Sequence, residues 1–146
     1  MSEASTAAAP PRSFWIIAGL ALVWDAIGLA TYIMEVTMSE DAIAALDPAV
    51  RELRESMPTW LVGAYALAVN TGVLGSLLLL LRKAWAVPVL ILSLACIVVQ
   101  MGYSNFMTDA IEVIGGGQIG LSVMITAVAV FLVWYSMRAK ARGWIS

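Results

Sequence analysis

The chain contains no histidine and a single cysteine, Cys96, and only 12% of its residues are charged. Without histidine, and with one thiol, it has no Cys/His spacing of the kind that holds a metal and no imidazole base. A lone cysteine inside an apolar run also leaves no disulfide framework. No nucleophile stands with a base beside it, so neither catalysis nor a cofactor or metal is predicted, and no nucleic-acid partner either. The formal net charge of −2 says less than its distribution along the chain.

What the sequence does have is apolar length. It is 62% hydrophobic with a mean hydropathy of +0.91, more apolar surface than a soluble domain of 146 residues can bury. Four apolar segments run roughly over 14–34, 60–81, 85–103 and 117–135, each close to the ~20 residues a spanning helix needs. At about 1.5 Å per residue the run from Phe14 to Met34 covers about 31 Å, the thickness of a bilayer's hydrocarbon core. The predicted fold is therefore all-α: an integral membrane four-helix bundle, with a single transmembrane domain over 14–137. A mobile tail is expected over 1–13, an external loop over 35–59 and a basic tail over 138–146. The first span does not read as a signal peptide, because it is too long, contains Asp25 and follows only one basic residue, Arg12.

Orientation is read from lysine and arginine. With the N-terminus inside, the inner side carries Arg12, Arg82, Lys83, Arg138, Lys140 and Arg142, six of the eight basic residues. The outer side keeps Arg51 and Arg54 among eight acidic residues. That bias predicts both termini cytoplasmic, in a bacterial inner membrane. Trp15, Trp60, Trp85, Trp134 and Trp144 fall at or just beyond segment ends, where interfacial aromatic anchors belong. In the first external loop, Ser39 and the pair Asp47–Pro48 are helix-start signals, which predicts one or two short surface helices.

Polar residues within the spans fall on stripes. Ala18, Ala21, Asp25, Gly28, Tyr32 and Glu35 share one face of the first span, and Ser93, Cys96, Gln100 and Tyr103 one face of the third. Asn70 lies midway along the second span with Gly63 and Ala66 on its face, and the fourth offers Gln118, Ser122 and Thr126. Small and polar stripes are what helices in lipid turn toward each other. By depth, Tyr32, Glu35, Gln100, Tyr103, Gln118 and Ser122 collect toward the outer side, which predicts a polar funnel closed near Asp25 and Asn70. Gly72 and Gly75 allow close helix approach at the midplane, and Gly116 with Gly120 forms a GxxxG spacing.

Asp25 is the costly residue. At a helix centre an aspartate costs about 2.5–3.5 kcal/mol to insert, and the nine Leu, Ile, Phe and Val residues from Phe14 to Met34, at about −0.3 to −0.6 kcal/mol each, offset it. No Lys, Arg or His lies in any span to pair with it. Asp25 is therefore expected either to be uncharged and hydrogen-bonded to Asn70, the favoured state, or to be paired with a proton donor, a sodium ion or a substrate.

The stretches "VWDAIGLATY", "MPTWLVGAYALAVNTGVLGSLLLLLRKAWAVPVLILSL" and "WYSMRAKARGW", together nearly the whole chain, resemble a group of small bacterial four-span inner-membrane proteins often labelled sugar transporters. The resemblance implies transport. Relatives more often carry asparagine at the position of Asp25, so this chain departs from them there. On that reading the funnel holds a sugar or another small polar solute, with Trp24, Asp25, Tyr32, Asn70, Gln100, Tyr103, Gln118 and Ser122 as its polar core. One chain of four spans is small for alternating access, so a homo-oligomer is expected. The alternative is a non-transporting structural or accessory subunit, which would use the same stripes to bind another membrane protein.

Overall fold

A computed structural model describes residues 9–106, 112, 115 and 117–146 of the chain, with the side chain of Gln118 outside the description. Six helices are present among the described residues: α1 (Arg12–Val36), α2 (Glu40–Ala44), α3 (Pro48–Glu55), α4 (Thr59–Leu80), α5 (Ala86–Phe106) and α6 (Gly117–Ala141). Four of them, α1, α4, α5 and α6, are long and apolar enough to cross a membrane, the pattern of a multi-pass membrane protein. Their outward faces fit that reading. Ile16, Leu20, Leu74, Val98 and Val123 are all exposed, a surface that lipid satisfies and water does not.

Local chemistry sets the short helices. Ser39 accepts a hydrogen bond from the Ala42 amide (3.2 Å) and starts α2, while Asp47 accepts one from Ala49 (2.9 Å) with Pro48 in the first turn of α3. Both starts are where the sequence predicts them. Helix α6 runs on to Ala141, past the apolar run that ends near residue 135. Hydropathy marks where apolar side chains stop, whereas the backbone ladder continues, with Arg138 and Lys140 in a last turn whose carbonyls favour cations.

The long helices pack in chain order: α1 on α4, α4 on α5, and α5 on α6. Helix α4 approaches α5 closely because Gly75 has no side chain. A Cβ there would lie 2.6 Å from Leu90 Cδ2. Between α4 and α5 the chain turns through Arg82, which holds a left-handed φ of 59°. The amides of Arg82 and Lys83 close the end of α4 on the carbonyls of Leu79 (3.0 Å) and Leu78 (2.9 Å), a turn that usually has glycine at its left-handed position.

The best-buried core lies at the end of the molecule where α1 begins and α6 ends. Phe14, Leu79, Ala139 and Ile145 are almost wholly buried there, and the Phe14 ring lies 6.3 Å from Tyr135 and 6.1 Å from Trp144. Trp144 is half-buried and packs against this core, in contrast to Trp15, Trp60, Trp85 and Trp134, which are exposed. The segment after α6 is docked. Arg82 Nε donates to the Trp144 carbonyl (2.7 Å), the Ser146 amide donates to the Arg82 carbonyl (3.1 Å), and the Ala84 amide donates to the Ser146 carbonyl (3.0 Å). Residues 138–146, read from the sequence as a basic tail, form a helix end and a clasp, because Trp144 and Ile145 supply apolar surface that the core can bury.

Candidate functional site

Helix α1 presents to its neighbours the stripe seen in the sequence: Phe14, Ala18 and Ala21 are buried, and Asp25, Gly28, Tyr32 and Glu35 are half-buried. Asp25 stands midway along α1 against α4. Its carboxylate lies over Gly72, where an added Cβ would come within 2.9 Å of Oδ1 and 3.4 Å of Ser93 Oγ. One turn further along α4, the fully buried Ser76 donates its hydroxyl proton to Asp25 Oδ2. From α5, Ser93 donates to the Ala68 carbonyl at 2.8 Å and ties α5 to α4 beside the carboxylate. Gly72 makes room for the carboxylate, Ser76 binds it, and Ser93 closes the third side.

The expected Asp25–Asn70 hydrogen bond is not what holds the carboxylate. Asn70 is exposed, and its amide donates to the Ala66 carbonyl of its own helix at 2.7 Å. The reason is angular. Asn70 lies two residues from Gly72, about 200° around the helix, so the small residues face α1 and the amide points away.

Around Asp25 the four long helices line a cavity of about 540 Å³. It extends from Leu90 and Leu132, toward the clasped end, to Glu35 and Met57 beneath α3. Its polar lining comes from Asp25, Thr31, Glu35, Tyr65, Ser93 and Gln100, and the rest is glycine or apolar, with Trp24, Met101 and Met124 prominent. None of the described lining residues is Lys or Arg. At the α3 end Arg54 donates to the backbone carbonyl of Glu35, which fixes the last turn of α1 beneath the short helices.

Of the residues singled out in the sequence, Trp24, Asp25 and Gln100 come together in this cavity. Tyr32 stands behind it, with its ring edge-to-face on Tyr65 at 5.1 Å, and Tyr65 is the ring that lines it. Tyr103 packs edge-to-face on Trp60 at 5.2 Å and is not among the lining residues. Ser122 is buried between α6 and α5, where its hydroxyl contacts Asn105 Oδ1 at 3.4 Å. The Gln118 side chain lies outside the described residues, as does most of the second loop, 107–116. The lining is thus far less polar than the expected funnel, since several polar side chains satisfy helix contacts instead. Ser76, Thr31 and Tyr65 are contributors that the sequence reading does not single out. Ser76 was detectable as the i+4 neighbour of Gly72, whereas Glu35 already ends the Asp25 stripe.

A second, apolar depression of about 450 Å³ lies between α1 and α6 and shares Trp24, Ile27, Val128 and Leu132 with the first. Helices α1 and α6 meet through the Phe14–Tyr135 rings at the clasped end and are not closely packed along the rest of their length. Side chains alone therefore form this wall of the cavity.

Comparison with protein-family models, with curated proteins and with solved structures gives no match.

Proposed function

We propose that the protein is a four-helix membrane bundle that binds a small solute in the cavity around Asp25 and carries it across the membrane as an oligomer. The cavity itself carries this reading. All four long helices contribute to it, its volume of about 540 Å³ falls among pockets that take small molecules, roughly 300–1,000 Å³, and a carboxylate stands inside it at mid-helix, where ionisable groups in membrane helices mark solute or ion paths. The resemblance of the sequence to small four-span proteins labelled sugar transporters supports transport. The lining narrows the solute. A sugar needs hydrogen-bond partners for most of its hydroxyls, whereas six polar side chains spread along a mostly apolar wall suit a molecule with an apolar body and one polar end. The distribution of basic residues supports both termini in the cytoplasm of a bacterium.

The test is a binding and uptake screen of sugars, small polar solutes and amphipathic solutes on the purified, reconstituted protein. An Ala129→Phe variant, which adds bulk to the cavity wall on α6, is compared alongside. Binding that this variant removes supports the reading, and a screen with no such solute contradicts it. A second reading, an accessory subunit of a larger membrane complex, is favoured by Asn70. An exposed amide at the middle of a membrane helix gains from a polar partner on another helix. Recovery of a stoichiometric partner that an Asn70→Leu variant fails to hold supports this second reading.

A further inference from the structure

The charge of the solute can be taken one step further, on the basis of the cavity reading above. We infer that the cavity takes a lipophilic monovalent cation, a quaternary ammonium or phosphonium carrying apolar or aromatic groups. The two carboxylates of the lining, Asp25 at mid-depth and Glu35 near α3, belong to the same stripe of α1, and no lysine or arginine lines the space between them. Arg54 donates to the Glu35 backbone carbonyl and its positive charge acts on Glu35, so Asp25 is the carboxylate left to a bound cation. A cation bound beside Asp25 holds that carboxylate in its charged form and is attracted to it strongly in a weakly polar surrounding, whereas an anion finds no such partner.

The surroundings of Asp25 decide against a bare metal ion. Asp25 and Glu35 stand ten residues apart on α1, roughly 15 Å, and most of the lining around them is apolar, so too few oxygens converge on Asp25 to replace a hydration shell. An organic cation carries no tightly held shell and needs apolar contact instead. Trp24 and Tyr65 bring aromatic rings to the lining, groups that attract a positive charge, and Met57, Met101 and Met124 bring flexible, polarisable walls that adapt to shape. The thin wall between α1 and α6 gives such a molecule an apolar side route, because the depression there shares its residues with the cavity.

The test uses the purified full-length chain in detergent, with tetraphenylphosphonium as the probe and tetraphenylborate, its near-isosteric anion, as the control. Saturable binding of the cation and none of the anion is the expected result in the parent protein. Asp25→Asn, which keeps the shape and can still accept the Ser76 bond, is expected to weaken cation binding by about tenfold or more. Asp25→Glu is expected to retain most of it, Ala129→Phe to weaken it, and Val98→Phe, on an exposed face of α5, to leave it unchanged. Equal binding of both ions, or cation binding indifferent to Asp25→Asn in a variant that melts like the parent, overturns the assignment. So does a neutral solute that Ala129→Phe displaces while the cation does not bind, but that result leaves the cavity reading intact. If no probe of any charge responds to Ala129→Phe, both readings fail. The comparison of cation with anion needs no variant, so it decides even where Asp25→Asn does not fold.

Discussion

At the scale of the residue, Asp25 shows how a membrane helix accommodates a carboxylate. Space comes from Gly72, where a Cβ would lie 2.9 Å from Oδ1, and a hydrogen bond comes from buried Ser76. The two contributions separate by mutation. Ser76→Ala removes the donor and is expected to cost about 1 kcal/mol, measured by denaturation in mixed micelles. Asp25→Asn preserves an acceptor for Ser76 and is expected to melt within a few degrees of the parent. A Ser76→Ala variant as stable as the parent would show that the bond contributes nothing. Asp25 itself, its stripe down α1 and its lack of a basic partner were all legible in the sequence. Its partner was not. Asn70 is the more conspicuous polar residue on α4, and serine among leucines gives little signal until the face of α4 that meets α1 is known.

At the scale of the element, that face is set by small residues. Leu61, Ala68, Thr71, Gly72, Gly75, Ser76 and Leu79 are the buried positions of α4, and Ala68, Gly72, Gly75 and Leu79 among them recur at spacings of four, three and four. On this helix the sequence marks one stripe, through Gly63, Ala66 and Asn70, and apart from it the pair Gly72 and Gly75 as a place of close approach. In lipid the second wins, because close backbone approach supplies the packing that apolar side chains cannot gain from leaving a solvent as apolar as themselves. Gly75→Val is therefore expected to drive α4 and α5 apart and to cost about 1–3 kcal/mol, since even one carbon there meets Leu90 at 2.6 Å. Adding Leu90→Ala should return part of that loss. A double variant whose loss equals the sum of the two single losses would place the clash elsewhere. The starts of α2 and α3 were legible because Ser39 and Asp47–Pro48 act within a few residues. Arg82 was not, because its left-handed turn is stabilised by the Trp144 carbonyl, 62 residues away in the chain.

At the scale of the whole molecule, the four apolar helices follow from composition and segment length, and the short helices between α1 and α4 from local signals. The clasp by Trp144, Ile145 and Ser146 depends on tertiary contact with Arg82 and Ala84, which a linear reading of a basic tail does not contain. Ile145→Asp places a charge in the buried core at that end and is expected to destabilise the protein by several kcal/mol, seen as a lower melting temperature. Orientation is checked in a Cys96→Ala background by Ala45→Cys, which should react with an impermeant thiol reagent on intact cells. Reaction only after permeabilisation would reverse the proposed topology. The cavity is tested most directly by two neighbouring positions on α5 in the same background. Ile97 lines the cavity, while Val98, about 100° further around the helix, is 52% exposed on the outer surface. With a small cationic, water-soluble methanethiosulfonate applied to the reconstituted protein, the Ile97→Cys variant is expected to react and to be slowed by Ala129→Phe, while the Val98→Cys variant stays inert in lipid. An Ile97→Cys thiol that reacts only after denaturation, or a Val98→Cys thiol that reacts as fast, would contradict a solute-accessible cavity among the four helices.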